Sequence, residues 1–333
     1  MDEIILKKID INKSSNEWNN FIENNINSDN NNYFIAHNPC IGKIFEKSFN
    51  YKSEYYIILK NDQLIGLLPG FRIAECFISM PILPMAGIFI NNKMDKNECY
   101  QIILPVLGKF EIRESDAISK YYYDKKVSCY LNLKYEIENE WKGLTSKLRS
   151  QVNKGYKNGI IVKINGEEYL DEFYDIYSTN MHRLGSPVLS KAFFSNLIKY
   201  YENGVAKIFI AYYENIPVAG SIVLSYHKLI EVGWASALNE YNRFNPNMVL
   251  YWEMIKYSIE NRMEHFSFGR ASRGSGSHKF KLQWGAIENQ LYFNYSEFNY
   301  DIRRLKFLAK LWKFMPAEVA NKFGPFIRNR LHI

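Results

Sequence analysis

The 333-residue chain has only four cysteines, Cys40, Cys76, Cys99 and Cys129, and no two of them form a CxxC pair. That spacing excludes zinc ribbons and redox dithiols, and unpaired thiols suit a reducing compartment. The six histidines show no HxxxH ligand spacing, so no metal is expected. No apolar run approaches 18 residues, which excludes a membrane-spanning helix. Met1-Asp2-Glu3-Ile4-Ile5-Leu6 lacks a basic stretch ahead of an apolar core, so no export signal is expected and the expected compartment is the cytoplasm. Net positive charge is also scarce over most of the chain. The net charge is +7, yet Asp301 to Ile333 alone holds eight Lys or Arg against two acids. The other 300 residues are nearly balanced, too even for a broad duplex-binding face, so DNA is not an expected partner.

What is present is ordinary for a globular protein, 47% hydrophobic and 23% charged, with a high aromatic share of 16% that mostly serves core and half-buried strands. The length allows two domains. Ile11 to Asn32 is rich in Asn and Ser and reads as polar loops around a short helix at Glu17 to Glu23. Ser53 to Leu59 and Leu64 to Ile73 flank a four-residue turn and read as a hairpin. The pattern returns about 155 residues later, with Ala206 to Tyr213 and Pro217 to Ser225 around Glu214-Asn215-Ile216. This weak repeat points to two similar α/β halves. In the second half, helices are expected at Gly143 to Asn158, Tyr169 to Arg183 and Lys191 to Glu202, then the hairpin, then a strand at Leu229 to Ala237. Asn245-Pro246 opens a helix with an Asn cap and Pro at the first turn. A strand at Glu264 to Gly269, a Gly/Ser loop, a short helix through Trp284 and a strand at Gln290 to Tyr295 finish the half.

Three stretches resemble the Fem-type branch of the GNAT acyltransferases over Leu144 to Tyr295. They are the basic helix Lys147-Leu148-Arg149-Ser150-Gln151-Val152-Asn153-Lys154, the run Phe244-Asn245-Pro246-Asn247-Met248-Val249-Leu250-Tyr251-Trp252-Glu253, and Phe266-Ser267-Phe268-Gly269-Arg270-Ala271-Ser272 with the following Phe280-Lys281-Leu282-Gln283-Trp284-Gly285. In the first half the resemblance rests on Leu67-Leu68-Pro69, Ser79-Met80-Pro81 and Ala86-Gly87-Ile88. It implies an α/β (α+β) protein of two tandem GNAT-like domains, each a mixed sheet flanked by helices, with a cleft between the halves. The expected divisions are 1–142, 143–300 and a basic helical tail at 301–333. Members move an acyl group from a coenzyme A thioester or an aminoacyl-tRNA to an amine.

The resemblance and the residues together nominate a site. For the donor, Gly233-Trp234-Ala235-Ser236 stands where the superfamily's strands part around the pantetheine arm, and small residues there admit a close approach. Arg243, Asn245, Asn247 and Met248 stand at the helix start that cradles the pyrophosphate in the superfamily, although the usual glycines are missing. For the acceptor, Arg183, Arg270, Ser272, Ser275 and Phe280 offer guanidinium groups, hydroxyls and an aromatic face suited to a diphosphate-linked molecule. Tyr33 and His37 add a first-half contribution. For the chemistry, the resemblance implies an oxyanion role for Lys281; Glu231, in an apolar strand, is a candidate base, and His182 a candidate proton carrier.

The expected function is acyl-CoA-dependent N-acylation of a nucleotide-linked amino sugar or similar cell-envelope precursor, as in lipopolysaccharide or O-antigen assembly. The amine would attack the thioester directly in the interdomain cleft, without metal or covalent enzyme intermediate. One alternative is an aminoacyl-tRNA-dependent peptidoglycan bridge ligase. It is disfavoured because no heptad-repeat arm interrupts Leu144 to Tyr295 and the basic residues are not spread for tRNA. The other alternative is a non-catalytic GNAT-fold binding protein, motivated by the missing glycines. Leu305 to Phe314 reads as an amphipathic helix, open to peripheral membrane contact or to packing on the body of the protein.

Overall fold

The computed structural model describes residues 4–26, 33–91, 95–298 and 309–331. Two compact units emerge, one from residues 1–128 with 289–299, the other from 129–288 with 300–333.

The first unit opens with β1 (Ile4–Ile9) and α1 (Ile11–Asn25). The helix is longer than the expected Glu17 to Glu23. Asp10 caps it by accepting from the Asn12 N–H, and Ile11, Trp18, Phe21 and Ile22 form a buried stripe at helical spacing that outweighs the Asn-rich composition. The rest of the Asn-rich stretch, 27–32, lies outside the described residues. Then come α2 (Cys40–Phe49), β2 (Lys52–Ser53), β3 (Tyr55–Lys60) and β4 (Gln63–Leu68), with Asn61 and Asp62 both at positive φ in a two-residue hairpin turn. Pro69-Gly70 ends β4 early, so the expected single strand to Ile73 is two: β5 (Phe71–Ile73) joins another sheet. After β6 (Cys76–Ile78), β7 (Phe89–Ile90), α3 (Lys96–Leu107) and β8 (Phe110–Glu114), the long β9 (Tyr121–Asn132) leads into the second unit. One antiparallel sheet has the order β1-β3-β4-β7; β8 pairs parallel with β6, which pairs with β5 and then β2.

The second unit begins with α4 (Ile137–Gly143) and α5 (Ser146–Lys157), the latter capped by Thr145 accepting from the Leu148 N–H. β10 (Ile161–Asn165), α6 (Leu170–Leu184) and α7 (Lys191–Tyr200) follow, with Gly185 at φ 76° stopping α6 in the left-handed conformation that glycine favours. The sheet has the order β10-β11-β12-β13-β14, built from β11 (Ala206–Tyr213), β12 (Ile216–Tyr226), β13 (Leu229–Ala237) and β14 (His265–Ser272), with α8 (Pro246–Glu260) between the last two. The β11–β12 turn repeats the first hairpin's chemistry, with Glu214 and Asn215 at positive φ. After α9 (Gly276–Leu282), β15 (Ile287–Tyr295) pairs antiparallel with β8, so this strand, expected to close the second half, serves the first unit's sheet. A helical turn at 309–314 and α10 (Ala317–Leu331) pack on the second unit. Residues 301–308, including Leu305 to Leu308 of the amphipathic stretch, lie outside the described residues.

Candidate functional site

β13 runs beside β12 along its whole length but meets β14 only at its start. The parallel ladder pairs Leu229 with His265, Ile230 with Phe266 and Glu231 with Ser267, then stops. Beyond that point the two strands fork. Gly233 is the extra residue of a bulge in β13, since Val223 faces Val232 while Ile222 faces Trp234. A Cβ at Gly233 would meet nothing closer than the Ile222 carbonyl at 3.5 Å. Tight packing therefore does not require glycine at this position.

The fork's mouth is a cleft of about 300 Å³ within the second unit. Ala235, Ser236 and Ala237 of β13 form one side, and Asn247 and Tyr251 of α8 with Phe280 of α9 another. Asn180 and Arg183 of α6 form the rim, where the exposed Arg183 donates to Asn180 Oδ1 (2.9 Å) and Asn180 donates to Ser236 Oγ (3.2 Å). Phe280 stands edge-on to Tyr251 with ring centroids 4.8 Å apart. The cleft thus gathers Ala235, Ser236, Asn247, Arg183 and Phe280 from the residues nominated on sequence, and adds Asn180, Asn242, Tyr251, Gly276 and Ser277. Asn180 sits one helical turn before Arg183, a spacing visible in the sequence, but only the fold shows that this turn faces β13.

Other nominated donor residues surround the cleft without lining it. Trp234 packs between Phe193 and Phe194 of α7, 5.3 Å from each ring. Asn245 occupies the cap position of α8 with φ 61°, but its side chain does not cap the helix as expected. It donates to the Gln151 carbonyl (3.2 Å), tying α8 to α5. With Pro246 at the first turn, the helix presents the Asn247 N–H without a side-chain cap. Met248 accepts a weak contact from Gln283 Nε2 at 3.9 Å, and the exposed Arg243 lies over the Phe244 ring at 4.7 Å.

At the apex of the fork, Glu231 is buried and accepts from Ser267 Oγ at 2.8 Å. Burial pushes its carboxyl up to about 7, against the pull of Ser267, Lys281 and Arg270. Lys281 is buried beside it. Its ammonium donates to the carbonyls of Phe268 (2.5 Å), Gly269 (3.1 Å) and Arg270 (2.8 Å), committing the group to the departing end of β14 rather than to the cleft. Gly269, at φ 67°, gives β14 the turn that lets these carbonyls converge. Burial lowers the Lys281 ammonium to about 8.

The Arg270-to-Ser277 loop is more ordered than its Gly/Ser content suggests. Ser275 caps α9 by accepting from the His278 N–H (3.2 Å), and Ser272 accepts from the Ser275 N–H (3.0 Å). His278 Nδ1 accepts from the Gly274 N–H (3.0 Å), and its Nε2 lies 2.6 Å from Glu288, which also holds Arg273 at 3.2 Å. His182 lies apart from the cleft: its Nε2 donates to the Met315 carbonyl at 2.8 Å.

In the first unit, Tyr33 and His37 are buried. His37 Nδ1 accepts from the Phe34 N–H and Nε2 donates to the Gly87 carbonyl, each at 2.9 Å, and burial lowers the imidazole to about 4. This is a neutral, satisfied core histidine. Among the described residues, no three His, Cys, Asp or Glu side chains gather to hold a metal, and no helix is long and apolar enough to cross a membrane.

Residues 144–282 match a family described as an acetyltransferase (GNAT) domain. Among solved structures, a FemX crystal structure is similar at a TM-score of 0.62 and 13% identity, covering 87% of this chain and 96% of that one. L-PGS from Bacillus licheniformis is similar at 0.55 and 12%, covering 90% and 97%. A tandem GNAT protein from the clavulanic acid biosynthesis pathway is similar at 0.54 and 6%, covering 90% and 100%. A search of curated protein sequences returns no match. The match over residues 144–282 covers the forked sheet, the Gly233 bulge and the start of α8, so this stretch is similar to a GNAT acetyltransferase domain, and the chain has a Fem-like tandem GNAT fold.

Proposed function

We propose that this protein is an N-acyltransferase that takes its acyl group from a coenzyme A thioester held in the β13–β14 fork and passes it to the amine of a nucleotide-linked amino sugar. The fork itself carries the reading. From Ser236 at the mouth to Glu231 at the apex, β13 runs five residues, about 17 Å. An extended pantetheine arm covers such a span. Its pyrophosphate would then meet the start of α8, where the Asn247 N–H and the helix dipole favour an anion. The thioester would arrive beside the Gly233 bulge. There the amine attacks the carbonyl, the C–N bond forms, the C–S bond breaks, and coenzyme A leaves as the thiol. Glu231, raised to about 7, is suited to accept the amine proton through water near neutral pH. Lys281 acts by fixing the β14 carbonyls that shape the apex. Arg183, exposed at the rim, supplies charge for the acceptor's phosphates.

A second reading is aminoacyl transfer from charged tRNA. A groove of about 530 Å³ on α5, lined by Ser146, Arg149, Ser150, Asn153, Lys154 and Lys157, favours it, as does likeness to a FemX and to a protein named as a putative lysylphosphatidylglycerol synthetase. The two are separated by calorimetric titration with coenzyme A, run with a thiol-release assay using acetyl-CoA and a panel of nucleotide-linked amino sugars. Micromolar binding with amine-dependent thiol release supports the first reading. Absence of coenzyme A binding rejects it, and transfer from charged tRNA would then establish the second.

A further inference from the structure

The helical residues 309–314 and α10 are held to the second unit by small and specific contacts. Trp312 and Ala320 are buried, the Met315 carbonyl accepts a hydrogen bond from His182 Nε2, and a Cβ on Gly324 would lie 2.8 Å from Val188 Cγ2. Gly185 is equally tight, since a Cβ there would overlap the Ala309 carbonyl. The rest of this segment exposes several large apolar side chains. Phe314 is 87% exposed, Phe326 57%, Leu311 and Phe323 53% each, and Val319 39%. Val319, Phe323 and Phe326 form an i, i+4, i+7 stripe along α10, and Leu311 and Phe314 form an i, i+3 pair on the preceding turn. Exposed lysines, Lys310, Lys313 and Lys322, interleave with these side chains, and Glu318 is the one acid between 309 and 331.

Large apolar side chains exposed in number along one segment mark an interaction site. The accompanying charge selects the partner. A second copy of this chain in a two-fold arrangement would set the lysines against one another. A nucleic acid would suit the lysines and stack on phenylalanine, but it leaves the aliphatic Leu311 and Val319 unused. An anionic lipid surface takes both sets: apolar side chains enter the headgroup–acyl boundary while lysines reach the lipid phosphates. We propose that residues 309–331 seat the protein on an anionic membrane surface through Leu311, Phe314, Val319 and Phe323, with Lys310, Lys313 and Lys322 on the headgroups. The proposal does not depend on which acyl donor or acceptor is used.

The test is flotation of the full-length protein with phosphatidylcholine vesicles and with mixed phosphatidylcholine–phosphatidylglycerol vesicles. The wild type should float with the mixed vesicles and scarcely with the neutral ones. Lys310→Gln with Lys313→Gln should weaken partition by about fivefold per lysine, roughly 25-fold together. Phe314→Ser with Phe323→Ser should abolish the part of binding that survives high salt. All four side chains are exposed, so melting temperature and coenzyme A titration should be unchanged in both variants. Failure of the wild type to float with anionic vesicles would overturn the proposal, as would full binding by the phenylalanine variant. A concentration-dependent dimer in analytical ultracentrifugation, lost in the phenylalanine variant, would instead assign the face to a second copy. Binding to single-stranded RNA with no vesicle binding would assign it to nucleic acid.

Discussion

Lys281→Met separates two roles for one ammonium, holding backbone or stabilising an oxyanion. The substitution keeps an unbranched apolar stem, one atom shorter, and deletes the ammonium with its three N–H donors. The carbonyls of Phe268, Gly269 and Arg270 then lose a partner each. An orphaned buried acceptor costs about 1–3 kcal/mol, so the three together lose about 3–9 kcal/mol if none finds water. Opposing this, the wild type carries a buried ammonium lowered from 10.5 to about 8, which corresponds to about 3 kcal/mol of unfavourable burial that methionine removes. The net loss should be about 3 kcal/mol, a fall of roughly 6–12 °C in melting temperature. Because these carbonyls end β14 where it departs from β13, the apex of the fork loosens as well. Coenzyme A affinity should fall about tenfold or more, and turnover about a hundredfold, the scale on which misplacement of reacting groups acts. Calorimetry with coenzyme A and thermal melts read the first two quantities, and thiol release reads the third. Native melting temperature and native coenzyme A affinity combined with a 10²–10³-fold loss of turnover would refute the reasoning, because that is the signature of a group serving only the reacting carbonyl.

Three further outcomes are expected. Gly233→Val adds a branched side chain where a Cβ meets nothing closer than 3.5 Å, so stability should change by only about 0.5 kcal/mol while the KM for the thioester rises; a matching loss of stability would return Gly233 to a packing role. Glu231→Gln should leave the protein folded but remove the rise of kcat/KM through about pH 7. Its effect on stability has a definite sign: the wild-type carboxyl is raised from 4.5 to about 7, so the stability it contributes is present below pH 4.5 and lost as pH rises through 7, and the variant should match wild type in acid and exceed it by about 3 kcal/mol at pH 8 in melts. Gly87→Ala would drive a methyl into the Glu114 carboxylate, which is fully buried between Lys96 (2.7 Å) and Tyr100 (2.7 Å), and urea unfolding should show a loss of about 3 kcal/mol or failure to fold.

Much of the second unit is legible in the sequence. The turn pair Glu214-Asn215 fixes a hairpin because both residues must take positive φ, and β13 spans the nine residues Leu229 to Ala237 that read as a strand. The start of α7 at Lys191 was legible and is capped by Ser190, whose Oγ accepts from the Phe193 N–H, whereas the helix expected from Gly143 starts only at Ser146, behind a Thr145 cap, because Gly143 ends α4. The reading failed where a cap residue had another partner. Asn245 occupies the cap position, but its amide is taken by Gln151, ninety-four residues earlier in the chain. It failed at α1 for a different reason, since composition says nothing about which face of an Asn-rich segment is apolar.

The sequence by itself determined local geometry: the hairpin turns, the extent of β13 and its small residues, and the Phe-Lys and Arg-Ala-Ser runs in their order. These depend on neighbours within a few residues, which is the range over which backbone sterics and side-chain spacing act. Only tertiary structure decided which polar groups meet. It joined Asn180 of α6 to Ser236 of β13, committed the Lys281 ammonium to three carbonyls, turned His182 toward Met315, and buried His37 as a neutral core residue. A buried polar group takes whatever partner the packing of distant elements brings within about 3 Å, and its charge then follows from that burial.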